Sequence, residues 1–88
     1  MVDHQMIKEF AERNNLDVQT LTESVEDTMK VLEKILLEGS IPLTEEVVQQ
    51  ALIIGHQTRM KHYQDILDNK DGAKDKIQEE VYKLLKEY

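Results

Sequence analysis

Apolar residues recur along most of the chain at three- and four-residue steps, the spacing of one face of an α-helix. Four segments carry this pattern and predict helices at approximately residues 3–14, 17–38, 45–68 and 72–88. The connections between these segments are short, which favours antiparallel neighbours. The sequence therefore predicts an all-α fold, a small and mostly antiparallel bundle of four helices.

Residues that favour helix caps stand at several of these predicted boundaries. Asp3, Asp17 and Thr44 each precede an apolar periodic segment, where their side chains can accept hydrogen bonds from the first helical N–H groups. Gly39 can adopt the left-handed conformation that commonly ends a helix. Pro42 lies in the following connection, where it cannot interrupt a helix. These residues predict where the second helix begins and ends and where the third begins.

The second predicted helix has the most regular apolar stripe in the sequence. Charged residues occupy its opposite side, so we expect the stripe to face the core. The stripe consists of Val18, Leu21, Val25, Met29, Leu32 and Leu36.

The third predicted helix differs from the others because it carries two apolar stripes. The first contains Arg59 within its arc, and a guanidinium there needs an acidic partner or a path to water. Small residues in this stripe would let a neighbouring helix approach closely. The first stripe consists of Val48, Ala51, Leu52, Gly55 and Ile66, and the second of Ile53, Met60 and Leu67, flanked by His56 and Tyr63.

The second stripe has two interpretations that the sequence leaves open. In one, it packs against helix 1 as part of a central helix. In the other, helix 1 is too short to cover it, because twelve residues span only about 18 Å. An exposed remainder would bind another protein or a second copy of the chain. The candidate partner-binding residues are Ile53, His56, Met60, Tyr63 and Leu67.

Length and charge narrow the classes of function. A chain of 88 residues supports one small core, so residues 1–88 are expected to form a single domain. Its 18 acidic and 11 basic side chains give a net charge of −7, which opposes binding to phosphate backbones. Nucleic acid is therefore a disfavoured partner, and a protein with a basic surface is a favoured one. The imbalance is largest in residues 1–44, with nine acidic and four basic residues.

Motifs for metal, cofactor or catalytic chemistry are lacking. The turn at residues 68–72 has the wrong register for a calcium loop, because placing Gly72 at the sixth position puts Leu67 and Gln78 where aspartate and glutamate are needed. His56 and His62 diverge by about 120° on a helix, which prevents easy sharing of one ion. Without cysteine there is no thiolate site. We expect no metal, no cofactor and no enzymatic activity.

Two hypotheses for function follow. The leading one is a protein-binding module that acts as an inhibitor or as a regulatory or accessory protein. The alternative is a small DNA-binding regulator that uses a helix-turn-helix-like segment at residues 11–30, although Asp17, Glu23 and Glu26 in that segment would repel phosphates. The absence of cysteine and of any long apolar run predicts a cytoplasmic protein without membrane association.

Overall fold

The computed structural model describes residues 4–88 and contains five helices and no strand within that range. The all-α prediction is confirmed, since helices account for 81% of these residues. Asp3, predicted as the first cap, lies outside the described residues. The helices are α1 (His4–Asn14), α2 (Val18–Glu38), α3 (Glu45–Lys61), α4 (Tyr63–Leu67) and α5 (Ala73–Glu87).

Local capping chemistry sets both ends of α2 and the start of α3, as predicted. The Asp17 carboxylate accepts hydrogen bonds from the Thr20 N–H at 2.9 Å and from its hydroxyl at 2.8 Å. Gly39 ends α2 in the left-handed region with φ of 66°. The Thr44 hydroxyl accepts the Val47 N–H at 3.2 Å. These side chains replace the partners that terminal N–H groups lack inside a helix.

The predicted span of residues 45–68 is helical, but a single non-helical residue, His62, divides it into α3 and α4. This residue has φ of −103° and ψ of 16°, outside regular helical values. Lys61 Nζ and His62 Nε2 each lie 3.2 Å from an oxygen of Glu80 on α5. Consecutive side chains diverge on a regular helix. The irregular backbone at His62 allows both of them to reach one carboxylate.

Two apolar clusters form the core. The main cluster lies between α2, α3 and α5, and a smaller one joins α1 to α2. The backbone of α1 approaches that of α2 only, although its side chains also contact Leu52 and Ile53 of α3. The buried residues are Val31, Leu32, Ile35, Ala51, Ile77, Val81 and Leu85 in the main cluster, and Ile7, Phe10, Ala11 and Leu21 in the smaller one.

The prediction that the whole apolar stripe of α2 faces the core is wrong. The buried face is turned by about a quarter of the helix circumference, at 100° per residue, so that Met29 and Leu36 are 46% and 65% exposed. A Cβ at Gly55 would overlap the Thr28 hydroxyl, which shows how closely α3 approaches this face. The buried face of α2 consists of Thr20, Leu21, Ser24, Asp27, Thr28, Val31, Leu32 and Ile35.

Candidate functional site

A buried ion-pair network fixes α3 against α2 and α5. Arg59 is only 6% exposed, and its Nη1 lies 3.1 Å from Oδ2 of Asp27. Its Nη2 lies 3.2 Å from Oε2 of Glu23. The other Asp27 oxygen accepts a hydrogen bond from Gln78 Nε2 of α5 at 3.1 Å. Of the two expected arrangements for Arg59, an acidic partner or a path to water, the structure shows the acidic partner, and the network holds the scaffold on which the surface sites lie.

His56, one of the predicted partner contacts, lies inside the molecule. Its Nε2 accepts a hydrogen bond from the backbone N–H of Asp17 at 3.1 Å, which joins α3 to the start of α2. Burial lowers the pKa of His56 below its ordinary value, and the Asp17 carboxylate offsets this effect only in part. The ring is therefore neutral near pH 7, as an acceptor must be. His56 positions α2 and is not available to a partner.

The other four candidates divide into a covered and an open group. Ile53 is half-buried against the α1 cluster. Met60, Tyr63 and Leu67, here named the C-terminal patch, are 51%, 40% and 57% exposed. The division falls beside His56, which accepts a hydrogen bond from the Asp17 N–H at the start of α2. The second stripe is thus covered at its first residue and open beyond it.

An apolar groove lies between α1 and α3, with α2 as its floor. It exists because the α1 backbone stays close to α2 alone and leaves a space beside α3. The volume of this α1–α3 groove is about 280 Å³. Sequence reasoning missed it, because periodicity does not show how far apart two helices lie. Its apolar lining consists of Met6, Ile7, Phe10, Leu21, Val25, Val48 and Leu52, and its polar lining of Glu9, Arg13, Glu45 and Gln49.

The uncovered part of the α2 stripe continues this groove. Val25 lines the groove, and Met29 follows it by one helical turn on the same side. Leu36 lies two further turns along, and both Met29 and Leu36 are exposed. From Val25 to Leu36 the apolar track extends about 16 Å at 1.5 Å per residue. Groove and track together form one elongated apolar surface.

The charge of the protein is concentrated in the part of the chain that builds this surface. Residues 1–52 contain 11 acidic and four basic side chains, whereas residues 53–88 contain seven of each. The first part therefore carries the whole net charge of −7. Glu9 and Glu45 line the groove, and among residues 4–88 neither has a cationic partner. Their hydrogen bonds come from the amides of Gln5 and Gln49.

Ser24, a possible nucleophile by residue type, is committed to a contact within the fold. The Ser24 hydroxyl is buried and donates to the Leu21 carbonyl at 2.9 Å. Within residues 4–88, no three histidine, aspartate or glutamate side chains are grouped so that they could hold a metal ion. No helix in that range is both long and apolar enough to cross a membrane.

Comparisons with known proteins identify no relative. The chain matches no family model, and neither curated proteins nor solved structures give a match. Function is therefore inferred from the surfaces described above.

Proposed function

We propose that this protein is a non-enzymatic protein-binding module that accepts apolar side chains of another protein in the α1–α3 groove. The observation that carries this proposal is the apolar stripe of α2, of which Met29 and Leu36 stay exposed. Its periodic apolar residues are those of a buried face, yet α3 and α5 pack against a different side of the helix. A module of this kind acts as an inhibitor or regulator by occupying a segment of its partner.

The free energies of burial and of association favour a partner that contacts both the groove and the α2 track. Full burial of a leucine or methionine side chain contributes about 1.5–3 kcal/mol, so covering the exposed parts of Met29 and Leu36 contributes about 1–2 kcal/mol each. Association costs about 4–15 kcal/mol in translational and rotational freedom. Contacts on the track alone are therefore too weak, and a stable complex must also fill the groove.

The proposal that the protein is not an enzyme rests on two side chains that are hydrogen-bonded within the fold. Ser24 and His56 combine nucleophile and base chemistry in principle, but each is bonded to backbone inside the fold. The alternative function, DNA binding through residues 11–30, is disfavoured by charge. That segment lies in the part of the chain that carries the whole net charge of −7.

Selection from a display library of randomised helical peptides tests the proposed function. Bound peptides should shift the amide resonances of Phe10, Val25 and Leu52 in nuclear magnetic resonance spectra. Met6→Gln should weaken binding several-fold, because it makes one groove wall polar without adding charge. Met60→Gln is the matched control, since Met6 and Met60 are both 51% exposed and Met60 lies in the C-terminal patch.

Either of two results would contradict the proposed function. One is a failure to enrich any peptide that shifts the groove resonances. The other is a loss of binding with Met60→Gln but not with Met6→Gln, which would move the interaction to the C-terminal patch. Light scattering of the same two variants then reports whether that patch joins two copies of the chain.

A further inference from the structure

Resting on the proposed function, we propose that the occupant of the α1–α3 groove is a cationic amphipathic helix of another protein. Its apolar face lies on the groove and on the α2 track, and its basic side chains lie beside Glu9 and Glu45. The shape of the apolar surface carries the first part of this inference, and the distribution of charge carries the second.

The apolar surface has the length and spacing that a helix matches. Val25 and Met29 are about 6 Å apart along α2, and Met29 and Leu36 about 10.5 Å apart, at 1.5 Å per residue. A partner helix presents apolar side chains one and two turns apart at the same intervals. The track of about 16 Å corresponds to about 11 helical residues. Such a helix would lie along α2 and continue the line of packing that α1 begins.

The sign of the charge follows from the groove lining. Glu9 and Glu45 have only amide hydrogen-bond donors as partners, so each carboxylate can accept a lysine or arginine without breaking an ion pair within residues 4–88. Among residues 4–88, Arg13 is the one basic residue of the lining, one turn beyond Glu9 on α1. The excess of acidic over basic residues in positions 1–52 adds a longer-range attraction for cations and repels an acidic helix.

Three synthetic peptides of about 15 residues separate shape from charge. They share one leucine face and carry lysine, glutamine or glutamate at the flanking positions. Their affinities are measured by calorimetry at low and at about 0.15 M salt, where screening acts over about 8 Å. We expect the lysine peptide to bind tightest, the glutamate peptide weakest, and the difference to shrink as salt increases.

Two double variants test whether the effect of peptide charge on affinity arises at the groove. Glu9→Gln with Glu45→Gln should weaken binding of the lysine peptide about threefold to tenfold, the effect of two partly exposed charge pairs. It should leave the glutamine peptide within about twofold. Asp71→Asn with Asp75→Asn changes the net charge equally, in the region next to α4 at the opposite end of α3 from Glu45. This control should alter the affinity for the lysine peptide by less than about twofold, because its charges are distant and screened.

The outcomes distinguish this inference from the function on which it rests. If the lysine and glutamine peptides bind equally well and both shift the groove resonances, the cationic partner is refuted and the groove remains a binding site. If the control pair weakens binding as much as Glu9→Gln with Glu45→Gln, the attraction is not local to the groove, and the inference also fails. If no peptide shifts the groove resonances, the proposed function itself fails.

Discussion

Replacing Arg59 with methionine removes the guanidinium at the centre of the buried network but keeps an unbranched apolar chain in its place. The Asp27 carboxylate, which is 6% exposed, then retains Gln78 as its hydrogen-bond partner and loses its positive partner. A buried carboxylate without a cation is costly, because the interior cannot replace the hydration that the charge has lost. We expect Arg59→Met to be the most destabilising conservative change of a charged residue in this protein.

The contacts of both carboxylates set the size of this effect. Breaking a buried ion pair by removing one partner costs about 3–5 kcal/mol. The value here should lie near about 3 kcal/mol, because Asp27 keeps its bond from Gln78 and Glu23 remains about a third exposed to water. A chain of this length has a total stability of about 4–13 kcal/mol. The variant therefore loses between a quarter and most of that stability.

Urea denaturation followed by circular dichroism measures the loss. Lys61→Met is the matched control, because Lys61 lies two residues away and also pairs with a glutamate, but its side chain is 65% exposed. The control should cost less than about 1 kcal/mol. In the double variant Asp27→Leu with Arg59→Met, much of the stability should return, since no buried charge remains. A loss below about 1 kcal/mol for Arg59→Met would refute the buried pairing.

Two further predictions concern contacts between α2 and α3. Gly55→Ala should cost about 1–2 kcal/mol in urea denaturation, because the overlap with the Thr28 hydroxyl outweighs a gain of about 1 kcal/mol in helix propensity. In a Thr28→Ala background the same change should become stabilising, and a gain in the unmodified chain would contradict the close approach. Folding lowers the pKa of His56. The free energy of unfolding should therefore be highest above about pH 6.5 and should decrease as the pH falls from that value towards the folded-state pKa. His56→Gln should flatten the dependence of the unfolding free energy on pH, whereas the control His4→Gln, at an exposed site, should retain it. Equal slopes in the unmodified protein and both variants would show that His56 does not cause the pH dependence.

The sequence predicted those features that depend on neighbouring residues. Asp17, Gly39 and Thr44 cap helices through hydrogen bonds and backbone conformations within four residues of themselves. Such local chemistry is the same in any bundle. The need for a partner at Arg59 was also predictable, but the partner's identity was not, because Asp27 and Glu23 are 32 and 36 residues away along the chain.

The features that the sequence did not predict depend on distances between helices. Ser24 and Thr28 are polar by type, yet they are buried because the fold places α3 against their side of α2. At the break, Lys61 and His62 both contact Glu80 of α5, and no periodicity within residues 45–68 reveals that contact. The groove depends on the separation of α1 from α3. The trace of it in the sequence is indirect: the apolar stripe of α2, part of which the neighbouring helices leave exposed.

The backbone of α1 approaches that of α2 only, and this has a consequence for the motions of the molecule. An isolated helix of 11 residues is marginal in water, so α1 depends on its docking to stay folded. Its detachment would leave the main cluster and the Arg59 network in place. Amide hydrogens of α1 should therefore exchange with solvent through a partial opening of lower free energy than global unfolding. Since α1 forms one wall of the groove, an occupant that packs on this wall would close the opening and slow that exchange.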